Sequence, residues 1–170
     1  YHGPATDPPF MTHAIRIHET GGPEKMVWED IPLPSPKPGE ALVRHKAVGL
    51  NFIDVYFRTG LYKAPSLPAI IGMEGAGLVE AVGEGVTDVA PGDRVAYLGL
   101  VPGAYCSVRS VPASWVLRLP SAVEDATAAA LHHRVGGLHH HERAAGAAAE
   151  RELECLVIDV EHLEGARRRL

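Results

Sequence analysis

At 170 residues with a net charge of −5, 18 glycines, 14 prolines and two cysteines, the chain has the length of about one domain. No basic stripe marks a nucleic-acid binder, two cysteines cannot frame a disulfide scaffold, and no apolar run approaches the roughly 18 residues that span a bilayer. These features point to a cytoplasmic protein with no membrane or nucleic-acid partner, and the high Gly and Pro content points to many short strands and turns.

Residues 1–10 (YHGPATDPPF) carry three prolines and no periodicity, and are read as a disordered or non-native leader before Met11. Met11 to Glu19 then alternates as a strand does, with Ala14, Arg16 and His18 on one face and Ile15 and Ile17 on the other. Gly21-Gly22-Pro23 turns the chain into a second strand, Met26 to Ile31. Pro32, Pro34, Pro36 and Pro38 make an extended connector to Gly39. Glu40 to Gly49 is a third strand, with Val43 and Ala47 on one face and Arg44 and Lys46 on the other.

The densest cluster of polar and aromatic groups follows, from Asn51 to Tyr62. Asn51 is a good N-cap, and Asp54 puts a carboxylate where it can bond back to the open N–H groups of a helix start. Phe52, Val55, Tyr56 and Thr59 share one face at 3,4 spacing, and Gly60 is placed to stop the helix. The spacing predicts a short helix presenting Asn51, Tyr56, Arg58 and Tyr62 at its ends. On spacing alone Tyr56 packs the helix on the scaffold, while Arg58 and Tyr62 are surface or loop-anchoring residues.

Ala69 to Gly77 is apolar and glycine-rich, which suits close backbone approach more than regular pairing. A strand is expected over Gly77 to Val82, then the turns Gly83-Glu84-Gly85 and Ala90-Pro91-Gly92-Asp93, then strands at Arg94 to Leu98, Gly103 to Ser110 and Trp115 to Leu119. Turns at this density imply a small barrel or sandwich. Cys106 is read as core, with no neighbour that would make it a nucleophile. Ser121 and Glu124 form a capping-box pattern for a helix running through Ala126 to Leu131. From His132 to Leu170 there is no Pro, Ser, Thr, Asn, Gln, Lys, Met or aromatic residue, and six of the ten histidines fall here. This tail is expected to be partly helical, from about Ala144 to Leu153, without a packed fold. It is read either as an out-of-frame, non-native segment or as a natural tail with a role of its own.

Taken together, Gly21-Gly22-Pro23-Glu24, Asn51-Phe52-Ile53-Asp54 with Tyr56, Arg58, Gly60 and Tyr62, Gly72-x-Glu74-Gly75-Ala76-Gly77, Gly83-x-Gly85-Val86, Pro91-Gly92-Asp93-Arg94-Val95 and Gly103-Ala104-Tyr105 resemble one family. They are similar to the N-terminal catalytic domain of the quinone oxidoreductases, the zeta-crystallin-like branch of the medium-chain dehydrogenase/reductase superfamily, over about residues 11–131. The resemblance implies a mainly β, GroES-like, partly open barrel with short helices. It also implies an enzyme that passes hydride from NADPH to a quinone or related enone, in a cleft shared with a dinucleotide-binding Rossmann domain. Asn51 and Tyr56 then take the catalytic positions, with Asp54, Arg58 and Tyr62 near them in the substrate and cofactor cleft. Gly72, Glu74, Gly77, Gly92 and Asp93 are structural motif residues, Glu74 being hydrogen-bonded beside its glycines.

No strand, glycine-rich turn and helix of the kind that holds a pyrophosphate follows Leu131. The Rossmann domain is therefore expected to be absent from this sequence, and the chain to bind no cofactor and to be inactive alone. The zinc-dependent alcohol dehydrogenase branch carries Cys where this chain has Asn51 and His where it has Met73, so zinc is not expected; the tail histidines (His132, His133, His139, His140, His141) could bind metal adventitiously. The rival to a catalytic domain is a free-standing GroES-like binding or structural module, and a zinc alcohol dehydrogenase fragment ranks third. Association into dimers or aggregates is expected through the face left for the missing domain.

Overall fold

The computed structural model describes residues 10–129 and 157–159. In chain order its strands are β1 (Met11–Ile17), β2 (Met26–Pro32), β3 (Glu40–Gly49), β4 (Ala69–Ile70), β5 (Glu74–Val82), β6 (Arg94–Leu98), β7 (Val108–Pro112), β8 (Val116–Arg118) and β9 (Val157–Asp159). Two short helices, α1 (Phe52–Thr59) and α2 (Asp125–Ala129), accompany them.

The strands form two sheets, one ordered β2-β1-β4 and the other β7-β3-β5-β6-β8, with β9 added to β3. In the first, β1 and β2 pair antiparallel with Ile15 opposite Trp28 and Ile17 opposite Met26. In the second, β3 is the long central strand. Its alternation holds in the sense expected: Val43 and Ala47 are buried, whereas Arg44 and Lys46 are exposed. Residues 105–107 stitch the sheets together. Ile15 N donates to the Tyr105 carbonyl (2.8 Å), Ser107 N to that of His13 (2.8 Å), and His45 N to that of Ser107 (2.9 Å). The result is the partly open β structure expected, with Ile15, Ile17, Val43, Val79, Val95 and Tyr105 in its core.

Four expectations change. Ala69 to Gly77 pairs regularly after all: β4 joins β1, and β5 begins at Glu74, three residues before Gly77. Its glycines serve pairing as well as close approach, since a Cβ on Gly77 would lie 1.9 Å from the Arg44 carbonyl oxygen. The strand expected from Gly103 starts only at Val108, because residues 103–107 spend their backbone groups on β1, β3 and the Gly72 turn. Helix α2 starts at Asp125 and not behind Ser121; the Arg94 guanidinium fixes the preceding turn by donating to the Val123 carbonyl (2.6 Å) and to Asp125 Oδ1 (2.7 Å). Lastly, Val157–Asp159 pairs antiparallel with Ala47–Gly49 of β3, where no packed structure was expected. The helix expected near Ala144 to Leu153 and the tail histidines lie outside the described residues.

Among the described residues no helix is long and apolar enough to cross a membrane.

Candidate functional site

Strand β3 delivers the chain to Asn51, whose extended backbone (φ −131°, ψ 153°) makes it the N-cap of α1. Asp54 closes the turn, its Oδ2 accepting the Asn51 N–H at 2.9 Å. Gly60 ends the helix in the left-handed region at φ 85°, which only glycine adopts without strain.

The helix is rotated from the expected sense. Asp54 and Arg58 face inward and are buried, while Phe52, Val55, Tyr56 and Thr59 face outward, Phe52 being 72% exposed. Both stripes have the period of a helix, and partners distant in sequence decide between them. Arg58 Nη1 donates to the Gly21 carbonyl (2.9 Å) and Gly21 N donates to that of Arg58 (2.9 Å). Arg58 is thus a loop-anchoring residue, as one of its two readings on spacing had it, but it holds the Gly21-Gly22 turn from a buried position and not from the surface. Asp54 accepts from the hydroxyl of the buried Tyr105 at 2.8 Å, which makes it a floor residue.

Two motifs interlock beneath α1. Gly103 N and Ala104 N both donate to the Gly72 carbonyl (2.8 and 3.0 Å), and Tyr105 N to that of Ile71 (2.9 Å). The Tyr105 ring then lies on Gly72: at φ 90°, a Cβ there would be 2.3 Å from Tyr105 Cδ1. Two residues on, Glu74 is 1% exposed, and its Oε1 accepts the Asn51 side-chain N–H at 2.7 Å. Gly49 makes room for that carboxylate, since a Cβ there would sit 2.3 Å from Glu74 Oε1. Gly92 and Asp93 stay apart from this group. Asp93 closes its turn by accepting from Ala90 N (2.8 Å) and pairs with Arg118 (2.8 Å to Nε).

Burial pushes the Asp54 carboxyl up to about 6, with the nearby Glu74 charge adding to it and the amides of Asn51 and Gly72 and the Tyr105 hydroxyl opposing it. Its Oδ1 is buried without a hydrogen bond of good geometry. The floor of the site therefore carries two buried carboxyl groups, Asp54 and Glu74. Above it, Tyr56 and Tyr62 are exposed and meet edge to face, ring centroids 5.3 Å apart, and Tyr62 N bonds back to the Tyr56 carbonyl (3.0 Å). Chemically, one N–H of the Asn51 amide is committed to Glu74 and the other has no acceptor among the described residues, on a helix that also carries a solvent-facing phenol.

Tyr105 and Gly49 escaped the sequence reading as site residues; the only signal for Tyr105 was its place in the Gly-Ala-Tyr motif. A second buried polar group was missed entirely. His45 Nδ1 lies 2.6 Å from the Cys106 carbonyl and Nε2 lies 2.7 Å from the Tyr97 hydroxyl. A carbonyl only accepts, so Nδ1 carries the proton and Tyr97 donates to Nε2. Burial drives the imidazole down to about 4, helped by the Arg109 charge, so His45 is neutral. Burial also pushes the Cys106 thiol up to about 12, in keeping with a core cysteine.

Among the described residues no three His, Cys, Asp or Glu side chains converge on a common point, and Asn51 and the buried Met73 offer an amide and a thioether.

Residues 37–121 match the alcohol dehydrogenase GroES-like domain. The chain belongs to this family. Within it, the domain is 45% identical over 121 residues to a quinone oxidoreductase of Pseudomonas aeruginosa, covering 71% of this chain and 37% of that protein. It is also similar to two solved structures. The quinone oxidoreductase of Pseudomonas syringae pv. tomato matches with a TM-score of 0.69 and 47% identity over 71% of this chain and 37% of that one. The quinone oxidoreductase of Escherichia coli, solved with NADPH, matches with a TM-score of 0.68 and 43% identity over 69% and 36%. This GroES-like domain chain thus spans little more than a third of the length of these relatives, and the resemblance to the quinone oxidoreductase branch holds over its N-terminal portion.

Proposed function

We propose that the chain is the substrate-side domain of an NADPH-dependent quinone oxidoreductase, which transfers hydride to a quinone or related enone. The observation that carries the proposal is the Asn51 amide, held at one N–H by the buried Glu74 carboxylate and open at the other. NADPH would supply the hydride. Hydride addition leaves negative charge on the quinone oxygen, and pre-oriented neutral donors stabilise such charge without having to reorganise. Asn51 supplies one such donor, and the exposed Tyr56 hydroxyl, which has no hydrogen bond among the described residues, supplies another. In this reading Glu74 orients Asn51, Asp54 and Tyr105 hold the helix start, and Tyr62 buttresses Tyr56 through the ring contact. The similarity to quinone oxidoreductases, one of them solved with NADPH, supports the substrate and cofactor classes. Because the matched part is little more than a third of those relatives, the chain alone is proposed to bind no NADPH and to turn over little or no quinone.

The test is titration with duroquinone, which lacks the ring hydrogens that thiols attack, followed by NMR of the Asn51 side-chain amide and the Tyr56 ring, with NADPH binding read from Trp28 and Trp115 fluorescence. Quinone-induced shifts at Asn51 and Tyr56, with no saturable NADPH binding up to about 1 mM, are expected. Absence of any shift at those two residues would refute the site and favour a binding module without catalysis. Micromolar NADPH binding with turnover would refute the claim of inactivity.

A further inference from the structure

Between the proline connector after β2, the loop after α1 and the start of β7 lies a cavity of about 530 Å³, within the range of small-ligand sites. None of Asn51, Asp54, Tyr56, Arg58, Tyr62 or Glu74 lines it. Its wall is apolar and poor in donors, because Pro32, Pro34, Pro65, Pro68 and Pro102 contribute no N–H.

Two arginines, Arg16 and Arg109, line this wall. Arg16 is already paired, its Nη1 2.9 Å from the Glu29 carboxylate. Arg109 is not: no carboxylate of a described residue lies within ion-pair distance of it. It is nonetheless held in place. Nη1 donates to the Tyr97 hydroxyl (3.4 Å), Nη2 to the carbonyls of Val101 (3.0 Å) and Pro102 (3.5 Å), and the guanidinium carbon stands 5.3 Å from the Tyr97 ring centroid. The loop lies flat against it, since a Cβ on Gly103 would come within 3.1 Å of Arg109 Cζ. Every one of these partners is a dipole. The Tyr97 hydroxyl donates a hydrogen bond to the neutral His45, which donates to the Cys106 carbonyl, so no negative charge enters along that chain either. A fixed guanidinium that no carboxylate of a described residue compensates therefore borders a donor-poor apolar cavity. Of its five N–H hydrogens three serve these partners, and the two that remain, on Nε and Nη1, can each donate to a carboxylate oxygen. A dianion would need a second open cation, and Arg16 is spent; the Ser110 hydroxyl is committed to Glu40 at 2.7 Å.

We propose that this cavity binds a small monocarboxylate with an apolar body, its carboxylate paired with Arg109 and its body laid against the proline wall.

The experiment compares sodium octanoate with 1-octanol on the full chain, by calorimetry and by backbone amide shifts. Octanoate is expected to saturate, to move the amides of Ile70, Gly103 and Arg109, and to bind at least about tenfold more tightly than octanol, as a charge-assisted pair requires. Arg109→Gln should lose that preference, about tenfold for octanoate with octanol unchanged. Because Arg109 also holds the loop at Val101 and Pro102, Ser66→Trp serves as the second variant. It fills the cavity from an exposed position at the rim without touching the guanidinium, and should abolish binding of both probes. The proposal is overturned by no octanoate binding at about 10 mM, by equal affinity for the two probes, by an Arg109→Gln variant that keeps the preference, or by shifts that fall on α1 instead.

Discussion

Replacing Asp54 with asparagine should alter the slope of stability against pH more than its level. Burial raises the Asp54 carboxyl from its ordinary 3.8 to about 6 in the fold, so between these values the folded chain keeps a proton that the unfolded chain releases. The stability this group contributes is fully present below about pH 3.8 and is lost as pH rises through 6. At 1.36 kcal/mol per unit, the loss is about 3 kcal/mol. His45 works the other way. Its imidazole titrates at about 4 in the fold against 6.5, so its contribution is present above 6.5 and is lost as pH falls through 4. The two slopes oppose each other, and the wild-type curve alone reports neither. The difference between variant and wild type cancels His45. Asparagine keeps an acceptor for the Asn51 amide and the Tyr105 hydroxyl, and puts its amino group where Oδ1 has no good hydrogen bond. In urea unfolding, Asp54→Asn should therefore gain about 2 kcal/mol on wild type between about pH 4.5 and 7.5. Parallel curves over that range would refute the conclusion that burial holds this carboxyl near neutrality.

Removing the hydroxyl in Tyr105→Phe should cost about 1–3 kcal/mol at pH 7 and raise the Asp54 titration midpoint in carboxyl-carbon NMR; an unmoved midpoint would mean that the 2.8 Å contact carries no energy. Gly72→Ala combines a left-handed backbone with a Cβ inside the Tyr105 ring, so a loss of about 3 kcal/mol or more is expected, and a thermal melt close to wild type would contradict it. The outward face of α1 and the loop after it leave Phe52 72% and Leu61 68% exposed. The wild-type chain should associate in sedimentation velocity as concentration rises, and Phe52→Ser with Leu61→Ser should leave it monomeric; a monomeric wild type at high concentration would count against this face.

The sequence carried the strands well, because alternation and turn residues are local: β1, β2, β3 and β6 fall where periodicity put them. The helix, its Asn51 cap and its Gly60 stop were equally legible. Its orientation was not. Phe52, Val55, Tyr56 and Thr59 look like an inward face until the Gly21 carbonyl and the Tyr105 hydroxyl claim Arg58 and Asp54 for the interior. The same limit hid the Glu74 contact to Asn51, 23 residues away, and the group of His45, Tyr97 and Arg109. His45 sits one residue from each of two exposed charges, and alternation alone says only that it faces inward. The glycines of β5 misled for another reason: a residue without a side chain permits both an irregular turn and a tightly paired strand, and only the partner strand decides.

Strand β9 has a kinetic consequence. The outer edge of β3 is shared, with β7 pairing along Glu40–Arg44 and β9 along Ala47–Gly49. Ala47 and Asp159 are partners more than a hundred residues apart in the sequence, and among the described residues three pairs make this ladder, so contacts distant in sequence hold it. The β9 rung should then form after the rest of the sheet and open before it, without global unfolding. Hydrogen exchange would show this as early labelling confined to Ala47–Gly49 and Val157–Asp159. Those rungs adjoin the turn into Asn51, so the most distant stretch of described chain governs how tightly that entry is clamped.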